Sequence, residues 1–133
     1  MKTKEIVAGV AGGIILFALG GIIYVLLFAD FFASAIDKDP AGFPFIVGGE
    51  VVMGILLAWV LSRFGISNVA DGAKNGAIFG AIAALGMGLI MYGAYDMYEL
   101  SQHLADVVVW AVRYGAAGAV IGWLLGRGTA AAS

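Results

Sequence analysis

Long uncharged runs alternate with short polar segments along the whole chain. Between Glu5 and Asp30 lie 24 uncharged residues, and between Lys74 and Asp96 lie 21. A hydrocarbon core about 30 Å thick needs about 20 helical residues at about 1.5 Å each, so both runs are long enough to cross a bilayer. The pattern therefore predicts transmembrane helices over residues 5–29 and 74–98.

Two further apolar runs reach spanning length only if a charge is allowed inside each. Residues 43–62 contain Glu50, and residues 104–126 contain Arg113. A segment in lipid must satisfy its own backbone hydrogen bonds, and these runs lack the two-residue alternation of a barrel strand. The expected fold class is therefore an all-α integral membrane protein, with one bundle of four transmembrane helices over residues 1–133.

The start of the chain also has features of a secretory signal. Lys2 and Lys4 precede the first apolar run, and the small residues "ASA" follow it at 33–35. A signal core has about 7 to 15 residues, which is shorter than this run. We therefore expect the first helix to remain as a permanent anchor.

Composition strengthens the membrane assignment and excludes several kinds of chemistry. Hydrophobic residues make up 62% of the chain and charged residues only 12%, and the mean hydropathy is +1.02. The net charge of −2 and the scattered basic residues argue against nucleic acid as a partner. The chain has no cysteine, and His103 is its only histidine, so we expect no disulfide, metal site or other cofactor.

Basic residues predict how the chain is threaded. With four spans, five of the seven basic residues fall on one side, and Lys38 lies alone in the connection between helices 1 and 2. The five are Lys2, Lys4, Arg63, Lys74 and Arg127. Because positive charge is retained on the cytoplasmic side, both termini are expected to be cytoplasmic, in a bacterial inner membrane.

The two halves of the chain resemble each other. A shift of 66 residues aligns "ALG" at 18–20 with "ALG" at 84–86, and a shift of 64 aligns "AWVLSR" at 58–63 with "GWLLGR" at 122–127. Gly, Ala and Leu match by chance in apolar sequences, but paired tryptophans and arginines do so less readily. The pattern favours two duplicated, parallel helical hairpins.

Small residues recur every fourth position and predict tight helix packing. In lipid, apolar side chains gain little by association, so glycine stripes that let backbones approach become important. Such a stripe does not reveal whether its partner helix belongs to the same chain, and some glycines simply reflect their frequency in membrane helices. The predicted packing positions are Gly76, Gly80, Gly88, Gly118 and Gly122.

The two intramembrane charges are expected to meet. Counted from the outer ends of their helices, Glu50 and Arg113 lie about 10 Å and 13 Å deep. An ionised side chain at the centre of a membrane helix costs on the order of 3 kcal/mol, which favours a pair over two isolated charges. One interpretation is a structural salt bridge that fixes helix register. The other is an outward-facing polar pocket that also includes Asp106, Asp96 and Tyr92.

Three segments resemble the small four-span bacterial membrane proteins that are grouped as families of unknown function. They are "FPFIVGGEVVMGILLAWVLSR", "LIMYGAYDMYEL" and "VVWAVRYGAAGAVIGWLLGR". The resemblance covers most of the chain and implies the four-helix architecture, but it supplies no catalytic or binding residue.

The favoured functional hypothesis is a non-enzymatic bundle whose partners are membrane lipid, other membrane subunits or further copies of itself. The alternative is a small homo-oligomeric transporter or channel that uses Glu50 and Arg113 as a polar binding site. An enzyme is not expected, since the sequence has no recognisable pairing of nucleophile and base.

Overall fold

The computed structural model describes residues 1–32, 42–96 and 98–132, with side chains up to residue 127. Lys38 and the "ASA" segment lie outside the described residues. The helices are α1 (Thr3–Gly20), which continues as a π-helical segment (Gly21–Leu27), α2 (Phe43–Arg63), α3 (Val69–Ala94) and α4 (Leu100–Ala132).

The all-helical class predicted from the sequence is confirmed, and the described residues contain no strand. Four helical stretches are long and apolar enough to cross a membrane, including α1 joined to its π-helical continuation as Thr3–Leu27. This supports the assignment to a membrane.

The helix boundaries differ from the predicted ones mainly at α3 and α4. Helix α3 begins at Val69 rather than at 74, because the Asn68 side chain accepts a hydrogen bond from the Asp71 amide at 2.8 Å and caps the helix. It ends at Ala94 rather than at 98. Helix α4 begins at Leu100 rather than at 104, so it includes His103, which lies just before the predicted span.

The helices pack in the order α2, α1, α4, α3. Helix α1 packs along α2 and α4, α3 packs along α4, and α2 and α3 make few contacts with each other. The core is formed where α1, α2 and α4 meet. Its buried residues are Ala8, Leu16, Leu57, Ala58, Leu61, Tyr114, Ala117, Ile121 and Leu125.

Glycines mark the closest approaches in both hairpins. In the α1–α2 hairpin, a Cβ added to Gly54 would lie 2.7 Å from the Gly13 Cα. In the α3–α4 hairpin, a Cβ added to Gly118 would lie 3.0 Å from the Gly76 Cα, and one on Gly80 would lie 2.6 Å from the Tyr114 Cβ. These distances leave little or no room for a side chain, so the helix backbones are nearly in contact.

The remaining two predicted packing positions also lie in the α3–α4 hairpin. A Cβ on Gly122 would lie 3.2 Å from the Gly72 Cα, and one on Gly88 would lie 3.3 Å from the Cβ of His103. The partner of this glycine stripe is therefore within the same chain. A turn at Gly65, whose φ of +70° suits glycine, helps to connect this hairpin to the first.

Candidate functional site

Arg113 lies at the centre of a polar cluster in the distal half of the bundle, the half farther from both termini. Its side chain is buried, and Nη2 donates a hydrogen bond to Oε1 of Glu50, with which it forms an ion pair. Nη2 and Nε also donate to the backbone carbonyl of Leu16, at 2.9 and 3.3 Å. One guanidinium group thus joins α1, α2 and α4, and we call this arrangement the arginine clamp.

The clamp depends on a glycine that sequence reasoning did not single out. A Cβ added to Gly20 would lie 3.1 Å from Nη2 and 3.5 Å from Cζ of Arg113. Gly20 is one helical turn beyond Leu16, on the same face of α1. Its missing side chain leaves the space through which the guanidinium reaches the Leu16 carbonyl.

Tyr24, on the π-helical segment, extends the cluster toward the distal surface. The centroid of its ring lies 5.5 Å from Cζ of Arg113, within cation–π range. Its hydroxyl donates a hydrogen bond to Oδ1 of Asp106. Tyr24 therefore bridges the clamp and Asp106, and it does so from a π-helix, a rare conformation that is frequent at functional sites.

A second group of rings, those of His103, Tyr98 and Tyr92, lies near Asp106. His103 is buried, and Nε2 has no hydrogen-bond partner among the described residues. Its ring lies 5.3 Å from that of Tyr98 and 6.3 Å from that of Tyr92. Burial, together with the nearby charge of Asp106, raises the pKa of Tyr98 to about 12, so this phenol stays neutral at physiological pH.

Two cavities adjoin the cluster. The larger, of about 370 Å³, lies between the distal parts of α1 and α2. Its lining includes Glu50, Tyr24, Tyr98 and Asp106. The smaller, of about 170 Å³, lies between α3 and α4 beside His103. Tyr98 and Asp106 line both cavities, so the two spaces adjoin at these side chains.

The structure groups the predicted site residues unevenly. Glu50, Arg113 and Asp106 belong to one cluster, whose members are connected through Tyr24. Asp96 is exposed just beyond the end of α3, and Tyr92 is half-exposed and packs against His103. Neither is among the residues that line the two cavities.

Tyr24 and the Leu16 carbonyl are the members that sequence reasoning missed. The sequence gives one indication of Tyr24, because its polar hydroxyl lies well inside a span that has no charged residue. Buried tyrosine hydroxyls generally find a partner. The Leu16 carbonyl carried no signal, because every residue has one.

The proximal end of the bundle contains simpler polar contacts. Glu5 is buried and accepts a hydrogen bond from the Ser62 hydroxyl at 2.8 Å, which ties the start of α1 to the end of α2.

No family model, curated protein or solved structure matches this chain at a significant level.

Proposed function

We propose that this protein is a non-enzymatic membrane bundle that works by assembling with other membrane-embedded chains and with lipid. The observation that carries the proposal is the one-sided packing of α3. This helix packs mainly on α4, makes few contacts with α2, and has less of its span buried than any other helix. A long apolar face is thus left for a partner.

The outward face of α3 has a shape that suits a second helix. Gly86 and Gly93 are two turns apart, and an added Cβ at either position meets nothing within 4 Å. Both lie near exposed apolar side chains such as Leu85 and Leu89. Small residues beside large ones make a shallow groove, and membrane helices associate through close packing of such surfaces.

The arginine clamp supports a structural role for the intramembrane charges within this function. A buried charge is tolerated when its hydrogen-bonding capacity is used, and Arg113 engages a carboxylate, a carbonyl and an aromatic ring on three elements. Such an arrangement fixes the register of α1, α2 and α4. It would hold the bundle in one shape for a partner to recognise.

Two parts of the architecture also belong to this proposal. We place both termini in the cytoplasm of a bacterium, so that the arginine clamp lies in the outer half of the inner membrane. Reporter fusions at residue 1 and residue 133 should then both be cytoplasmic. An external reporter at either terminus would contradict the proposed topology.

The second part is the duplication of the hairpins. Gly54 packs against Gly13, and Gly118, 64 positions later, packs against Gly76, 63 positions after Gly13. These contacts relate the first helices of the two hairpins by a shift of 63, three fewer than the shift that aligns the two "ALG" segments. The matched contacts support an ancestral hairpin that was repeated in parallel. The small four-span bacterial proteins that the sequence resembles would share this architecture.

Mass measurement of the protein in native nanodiscs tests the assembly function. We expect masses of more than one chain, or of the chain with another subunit. Gly86→Leu should reduce the complex to single chains, because its side chain projects into the proposed interface. Gly49→Leu, at an equally open position on α2, is the matched control and should leave assembly intact. Single chains at every protein concentration would refute assembly.

A small homo-oligomeric transporter or channel is the second candidate. It is favoured by the cavity beside Glu50, whose side chain is one-fifth exposed while Arg113 is almost fully buried. Polar residues that line a space within a membrane protein often mark a substrate path. Uptake of labelled ions or amines into proteoliposomes that depends on Glu50 would select this function over assembly alone.

A further inference from the structure

We propose that the larger cavity, between the distal parts of α1 and α2, binds the ammonium end of an amphipathic organic cation. This inference depends on neither proposed function, since an assembly protein and a transporter could both hold such a ligand. It rests on the charge, the aromatic lining and the position of the cavity mouth.

The charge of the lining selects a cation. Glu50 and Asp106 both line the cavity, and none of the described lining residues is cationic. Arg113 neutralises Glu50 but lies behind it, with its guanidinium directed to the Leu16 carbonyl. With both carboxylates ionised, the cavity and its clamp therefore have a net charge of about −1, which a bound cation would balance.

The rest of the lining selects an organic cation over a metal ion. Phe17 and Phe43 meet edge to face, with ring centroids 5.3 Å apart. Tyr24 and Tyr98 add two more rings to the wall. Aromatic faces attract ammonium groups and apolar walls hold their substituents, whereas a divalent metal would need several more oxygen ligands.

The position of the mouth indicates how the ligand arrives. Val25 and Phe43 line the cavity, and both are about half exposed on the surface of the bundle that meets lipid. A ligand with an apolar body could reach the cavity from the bilayer. The ammonium could belong to a free hydrophobic amine or to the headgroup of an aminophospholipid, and the same cavity chemistry would recognise either.

Binding of benzyltrimethylammonium to the purified full chain in a neutral maltoside detergent tests the proposal. Neopentylbenzene is its neutral control, since a carbon replaces the nitrogen and the shape is unchanged. We expect saturable calorimetric binding of the cation and at least tenfold weaker binding of the neutral compound. Equal binding of the two compounds, or no saturable binding of the cation, would overturn the proposal.

Two variants locate the site. Asp106→Asn keeps an acceptor for the Tyr24 hydroxyl but removes the charge, so the affinity for the cation should fall at least tenfold. Asp96→Asn, which removes an exposed charge outside the cavity, should leave it unchanged. If both variants weaken binding equally, the effect is one of general surface charge, and the proposed site is wrong.

A third variant covers the case in which Asp106→Asn does not fold. Phe17→Leu keeps the wall apolar but removes an aromatic face, so it should weaken binding of the cation about threefold to tenfold and leave the neutral compound unaffected. Unchanged binding of the cation would contradict the aromatic role.

The source of the ammonium is distinguished by repeating the titration in nanodiscs with and without phosphatidylethanolamine. Weaker binding of the probe in its presence assigns the site to the lipid headgroup. Unchanged affinity assigns it to a free cation. Either result is in accord with an ammonium site.

Discussion

The two hairpins begin alike and then diverge. In the α3–α4 hairpin, glycines keep the backbones close along most of α3, from Gly72 near its start to Gly88 near its end. In the α1–α2 hairpin, the close contacts are confined to Gly9, Gly13 and Gly54. Beyond Leu16, α1 faces the clamp and a cavity in place of a close glycine contact with α2.

This difference shows that two kinds of interaction hold the two hairpins together. Close backbone packing leaves no space and therefore no room for a ligand. The clamp replaces that packing at the point where the first hairpin opens, and the opening contains Glu50, Tyr24 and Asp106.

The largest expected effect is the loss of the clamp. Arg113→Leu leaves Glu50 without its partner inside the bundle, and breaking such a pair costs about 3 to 5 kcal/mol. The double variant Arg113→Leu with Glu50→Leu should recover much of this loss. Unfolding titrations of the four proteins should give a coupling free energy of about 0.5 to 3 kcal/mol. Additive effects would show that the two residues do not act as a pair.

The next effect is overpacking at one closely packed glycine in each hairpin. Gly54→Leu and Gly118→Leu should each lower the free energy of unfolding by about 1 to 3 kcal/mol or more, since neither backbone contact can accept a side chain. Gly49→Leu lies on the same helix as Gly54 but faces open space, so it should be nearly neutral. A large loss from only one of the two would show that the hairpins are not held in the same way.

A smaller effect is expected beside the clamp. Gly20→Ala places a methyl group 3.1 Å from Nη2 of Arg113 and should cost about 1 kcal/mol. Gly21→Ala, at the adjacent position, meets nothing within 4 Å and should cause no loss. Thermal melting in the same detergent measures both. Because alanine has a higher helix propensity than glycine, an equal loss in both variants would show that contact with the guanidinium is not its cause.

The smallest effect concerns the proximal ends of α2 and α4. The Cζ atom of Arg63 lies 5.5 Å from the centroid of the Trp59 ring, and that of Arg127 lies 4.9 Å from Trp123. Exposed cation–π contacts contribute about 0.5 to 1 kcal/mol, so Arg63→Gln and Arg127→Gln should have small and similar costs. A clear difference between them, measured by chemical unfolding, would weaken the equivalence of the hairpins.

The sequence predicted the elements better than their ends. Charges inside lipid are costly, so apolar runs with at most one charge, two of them uncharged, locate the four spans closely. The predicted start of α3 is too late because it follows the last charge, Lys74, whereas Asn68 with Asp71 three residues later is a capping pattern. The predicted start of α4 is too late because the apolar run begins at Leu104, whereas the helix also includes the polar residues 101–103.

The site could be approached from the sequence only through its charges. The cost of an isolated charge directed attention to Glu50 and Arg113, and helical spacing added Asp106. The predicted pocket also includes Asp96 and Tyr92 because both lie near the same membrane surface as Glu50 and Arg113. Depth in the membrane does not determine the direction in which a side chain points. The role of Tyr24 depends on a π-helical segment, and no residue pattern used in the sequence analysis predicts that geometry.

The π-helical segment, Gly21–Leu27, also bears on how this chain can change in length. In a π-helix each backbone hydrogen bond joins residues five apart, one more than in an α-helix. The Phe28 amide donates such a bond to the Ile23 carbonyl at 2.9 Å. Deleting one residue before Tyr24 in this segment would allow an ordinary α-helix of nearly the same length, in which the Tyr24 side chain has a different direction. A single-codon deletion would thus leave a chain that still crosses the bilayer but no longer brings the Tyr24 hydroxyl to Asp106.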